Sequence, residues 1–124
     1  MLVQLDTSAL IDALTGTRRS LDRLVGLVDD GHRIGISTIV LYEWLRGPRT
    51  RAELAAQEEL LPRDAAASFA AGEAAIAARL YQRVKRPRGR EIDLAVAACA
   101  IAGEAALWTL NRADFDDIEG LRLV

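Results

Sequence analysis

Four acidic residues, far apart in the chain, fall where ordered structure is expected to begin, end or bury itself. Asp6 closes the apolar run Leu2 to Leu5. Glu43 interrupts the apolar stretch Ile39-Val40-Leu41-Tyr42-Glu43-Trp44-Leu45. Asp93 precedes Leu94-Ala95-Val96-Ala97-Ala98, and Asp114 follows Thr109-Leu110-Asn111-Arg112-Ala113. Carboxylates are preferred ligands of hard divalent cations such as Mg²⁺ and Mn²⁺, and one inside an apolar helix must be paired, neutralised or metal-bound. Each acid also has a local reading. Asp6 or Ser8 can cap the next helix, Glu43 can pair with Arg46, Asp93 can cap its own helix, and Asp114 suits the first turn of a short helix capped by Asn111. Thr109 and Asn111 can instead supply neutral oxygens or orient a bound water.

Other chemistries find little support. The single histidine, His32, follows Gly31 in an expected turn, so acid–base catalysis by two histidines within one chain is excluded. The single cysteine, Cys99, lies in an alanine-rich helix and reads as core. Zinc lacks its usual Cys and His ligands. The densest basic stretch holds Arg83, Lys85, Arg86, Arg88 and Arg90. It can contact phosphates beside Asp93, or form a solvated loop. Asp12, Asp116, Asp117 and Glu119 are expected on solvated faces.

The elements that must position these residues follow from periodicity and punctuation. Strands are expected at Leu2 to Leu5, Ile34 to Ile36, Leu107 to Leu110 and Leu121 to Val124. Helices are expected at Ser8 to Leu14, about Arg19 to Asp30, from a Ser37 cap to Arg46, at Ala52 to Leu61, at Ala65 to Lys85 with a break near Gly72, and at Asp93 to Glu104. The helix around Glu43 is apolar nearly all round and is expected to be buried. Alternating strands and helices imply an α/β fold with a mainly parallel sheet of about four strands. Hydrophobic residues make up 51% of the 124 residues, enough for the core of one domain over 1–124. No membrane span, signal peptide or internal disulfide is expected, which points to the cytoplasm. The net charge of −2 excludes a strongly basic surface but not an RNA partner, because the four acids would face metal.

The order of blocks is more specific than any one of them. Asp6-Thr7-Ser8 comes first, then Ile36-Ser37-Thr38 leading to Glu43 and Leu45-Arg46-Gly47. Gly89-Arg90-Glu91-Ile92-Asp93 with Ala97-Ala98 follows, then Thr109-Leu110-Asn111-Arg112-Ala113-Asp114-Phe115. Together they resemble PIN domains, in particular the VapC-like toxins of bacterial type II toxin–antitoxin pairs, over nearly the whole chain. The resemblance implies an α/β/α sandwich and a metal-dependent endoribonuclease that hydrolyses RNA with metal-activated water. It implies Asp6, Glu43, Asp93 and Asp114 as the catalytic set, with Asp6, Asp93 and Asp114 on Mg²⁺ or Mn²⁺. Thr7, Ser8, Thr109 and Asn111 would support them, and Arg86, Arg88 and Arg90 would touch RNA. It further implies a cognate antitoxin and a homodimer, to whose contacts Tyr42, Trp44, Phe69 and Tyr81 can contribute. The rival reading is a catalytically inactive binding module on the same fold, its acids serving as caps and ion pairs.

Overall fold

In the computed structural model, which describes residues 1–124, the opening apolar run becomes a central strand. β1 (Leu2–Leu5) pairs in parallel with β2 (Arg33–Gly35) on one side and β3 (Ala106–Trp108) on the other. β4 (Arg122–Leu123) adds in parallel beyond β3, giving the order β2-β1-β3-β4. Parallel strands require crossovers, and the helices supply them. These are α1 (Thr7–Leu14), α2 (Leu21–Asp29), α3 (Thr38–Arg46), α4 (Arg51–Leu60), α5 (Ala71–Arg83) and α6 (Glu91–Ala102). The result is a four-stranded parallel sheet flanked by six helices, the α/β architecture expected. No helix is long and apolar enough to cross a membrane.

Local chemistry explains most element ends. Ser37 caps α3, accepting from the Val40 N–H at 3.2 Å. Thr50 and Glu53 cap each other at the start of α4, at 3.1 and 2.8 Å. The central helix α6 is buried from Leu94 through Ala100. Its alanines let it approach β3, α3 and α5 closely, and one apolar cluster runs from Val3 through these elements to Ile118.

Several expectations need correction. The helix expected over Ala65 to Lys85 begins only at Ala71. Before it, Arg63–Ala65 forms a single 3₁₀ turn, and Ala67 bridges in parallel to Ser37. There the Ala67 N–H donates to the Ile36 carbonyl and the Thr38 N–H to the Ala67 carbonyl, both at 2.9 Å. Backbone pairing at the sheet edge overrides alanine's helical preference. α3 is not buried all round, since Tyr42 and Leu45 are exposed. Trp44, by contrast, is wholly buried and is core. α6 starts at Glu91, so Asp93 lies inside its first turn and is not its cap.

Candidate active site

Strand register builds the first half of the site. Leu5 pairs with Trp108, so the residues just beyond, Asp6 and Thr109, emerge side by side at the carboxyl edge of the sheet. That edge is where parallel α/β sheets bind ligands. Asp6 occupies the N-cap position of α1 but makes no side-chain cap bond, so capping is not its role. Its Oδ2 accepts from Thr109 Oγ1 at 2.7 Å and from Ser8 Oγ at 3.1 Å. The same two hydroxyl oxygens accept in turn: Thr109 from the Asn111 N–H at 3.0 Å, Ser8 from the Leu110 N–H at 3.0 Å. Both hydroxyl protons are thereby aimed at Asp6, which is only 6% exposed. Asn111 joins this network through its backbone and makes no side-chain cap bond to the turn that follows.

Glu43 reaches the site from α3. Thr7, the first residue of α1, donates to its Oε1 at 2.6 Å, and Arg46 approaches Oε2 at 3.4 Å. The local ion pair and the site contact therefore coexist on one carboxylate. Asp93 sits in the first turn of α6. Burial pushes its carboxyl up to about 6; the charges of Asp6, Asp114 and Glu43 push the same way, and Arg90 opposes them. The charges of the other three acids therefore all act on Asp93 in the same direction. Asp114 ends a 3₁₀ turn, Arg112–Asp114, and is exposed.

The donors are carboxylate and hydroxyl oxygens, the set a hard cation prefers. No three His, Cys, Asp or Glu side chains stand close enough to ligate one ion directly. Two carboxylates about 5 Å apart repel by roughly 3 kcal/mol, which a bound cation would offset. A cation held here would have to keep several of its own waters. Cys99 offers no rival nucleophile. Burial, then the charge of Glu73, pushes its thiol up to about 11.

Two expectations about charged residues change. Arg86 and Arg88 are exposed, as a phosphate contact requires. Arg90 is instead bonded to Asp117 at 2.6 and 2.9 Å and to the Asp114 carbonyl at 2.9 Å. Asp117 is exposed, as expected, and is the partner in this ion pair, whereas Asp12, also expected on a solvated face, is only partly exposed and accepts from Arg19 and Ser20. The Arg90–Asp117 pair spans 27 residues of chain, and no local pattern in the sequence announces it.

An α/β protein with acidic side chains at the carboxyl edge of a parallel sheet is thereby defined. Residues 3–121 match the PIN domain family, and the chain belongs to that family. No curated protein matches it in sequence. Its fold is similar to that of a chain in VapBC2 from Rickettsia felis bound to a DNA fragment from their promoter, with a TM-score of 0.79 and 25% identity, covering 100% of this chain and 98% of that one. It is similar to a chain in DNA-bound VapBC from Salmonella typhimurium at a TM-score of 0.79 and 23% identity, covering 100% and 98%. A chain in VapBC-1 from nontypeable Haemophilus influenzae gives a TM-score of 0.72 and 21% identity, covering 100% and 97%. The likeness to VapC-like PIN chains expected from the ordered blocks is found.

Proposed function

We propose that this chain is a metal-dependent endoribonuclease, the toxin of a cytoplasmic toxin–antitoxin pair. The observation that carries the reading is the Asp6 carboxylate held by Thr109 and Ser8 at the carboxyl edge of the sheet, with burial first, and then the charges of Asp6, Asp114 and Glu43, raising the Asp93 carboxyl to about 6. Family membership and structural neighbours that are toxin–antitoxin complexes support it. An antitoxin partner and a homodimer belong to the same proposal, and exposed Tyr42, Leu45 and Tyr81 offer apolar surface for such contacts.

Asp6, Asp93 and Asp114 would hold Mg²⁺ or Mn²⁺, with Thr109 and Ser8 fixing the Asp6 carboxylate and Thr7 fixing Glu43. When bound, such an ion lowers the pKa of a water and offsets charge on a phosphodiester. Glu43, held by Thr7 at Oε1, would act as the general base. Arg86 and Arg88 would hold flanking phosphates.

The test is cleavage of RNA with and without Mn²⁺, with the cut ends mapped. Wild type should cut only with metal, and Asp6→Asn and Asp93→Asn should lose both Mn²⁺ binding and cleavage while keeping the circular dichroism of the fold. Metal binding without any cleavage, across transfer, ribosomal and messenger RNA, would favour the inactive binding module.

A further inference from the structure

Arg90 stands immediately before α6, three residues ahead of Asp93. Its Nη1 donates to Oδ2 of Asp117 at 2.9 Å, and its Nη2 donates to Oδ1 of Asp117 at 2.6 Å and to the Asp114 carbonyl at 2.9 Å. The side chain is 20% exposed. Both ends of this bridge are anchored. The Arg90 N–H donates to the Pro87 carbonyl at 2.9 Å and its own carbonyl accepts from Leu94 at 2.9 Å. On the far side, Phe115 and Ile118 are buried in the core. The Asp114 carboxylate has no hydrogen bond of its own, so its position depends on the backbone that Arg90 grips.

Resting on the metal-site reading above, we propose that Arg90 is a positioning residue that sets the Asp114 turn beside Asp93, through its fork onto Asp117 and the Asp114 carbonyl. A planar fork with two parallel N–H donors suits this task, and a lysine ammonium does not reproduce it. Charge and geometry then act with opposite signs on a cation. A guanidinium beside Asp93 and Asp114 repels a divalent ion, so removing it should tighten binding if charge were its whole contribution. Losing the clamp frees the turn and weakens binding, because supports of a ligand typically change metal affinity by about 10–100-fold.

The experiment is calorimetric titration of Mn²⁺ into the full chain and into Arg90→Lys, Arg90→Gln, Asp117→Asn and the Arg90→Gln/Asp117→Asn pair, each checked for fold by circular dichroism. Arg90→Lys keeps the charge and is the milder change should Arg90→Gln fold poorly. The expected result is a Kd about tenfold weaker for both Arg90 variants, with the double variant no weaker than the singles. Arg90→Gln or Arg90→Lys binding Mn²⁺ as tightly as wild type, or more tightly, overturns the positioning role and leaves the metal reading standing. Wild type that takes no Mn²⁺ overturns both.

Discussion

Thr109 gives its hydroxyl proton to Oδ2 of Asp6 across 2.7 Å, although 103 residues separate them in sequence. Thr109 is 3% exposed, so water cannot replace the bond. Thr109→Val keeps the shape and removes the donor. It should cost about 1.5–3 kcal/mol in urea unfolding, the range for a bond to a charged group, and weaken Mn²⁺ binding about tenfold. An unchanged Mn²⁺ affinity would show that Ser8 alone suffices to orient Asp6.

The elevated carboxyl of Asp93 couples stability to pH. Its ordinary value is 3.8 and its value in the fold is about 6. The folded chain therefore binds this proton more tightly than the unfolded chain. The stabilisation is complete below about 3.8 and is lost as pH rises through 6. Asp93→Asn cannot ionise, so without metal it should melt a few degrees above wild type at about pH 7, the difference shrinking toward about pH 4. Mn²⁺ should then raise the wild-type melting point and leave the variant where it is. A metal-free variant that melts below wild type at pH 7 rules out this account of the pocket.

How much of this could be read in advance depends on sequence distance. β1 and the Ser37 cap of α3 rest on residues within one turn or one strand, and the sequence shows them. Asp6 looks like a helix cap locally, and only the Leu5–Trp108 register turns it toward Thr109. Residues 66–70 carry helical composition, but the Ala67 backbone finds partners in Ile36 and Thr38 instead. The Arg90 fork has the same origin. A basic run beside an acid suggests phosphate binding, whereas the fold delivers Asp117 to the guanidinium.

That fork divides the basic stretch into two kinds of residue. Arg86 and Arg88 are exposed and make none of the side-chain hydrogen bonds or ion pairs that hold Arg90. Arg86→Glu/Arg88→Glu should weaken RNA binding and flatten the log–log salt slope by about 1.4 or more, at about 0.7 per phosphate contact on a single strand. Fold stability should move by less than about 0.5 kcal/mol. A salt slope equal to that of wild type removes this loop from the RNA path.

The last test concerns why α6 is built from alanine. Ala97, Ala98 and Ala100 are wholly buried, in a helix packed against β3, α3 and α5 at once. A larger side chain has no free space to enter and must displace a neighbour. Ala98→Leu should therefore cost about 1–3 kcal/mol despite adding apolar surface, while Ala102→Leu, at an exposed position of the same helix, should change stability by less than about 0.5 kcal/mol. The same helix carries Asp93 in its first turn, so a shift of its axis moves that carboxylate relative to Asp6 and Glu43. Ala98→Leu should lose Mn²⁺ affinity along with stability, and Ala102→Leu should lose neither. If Ala98→Leu proves as stable as wild type in urea, the close packing of α6 is not what fixes Asp93.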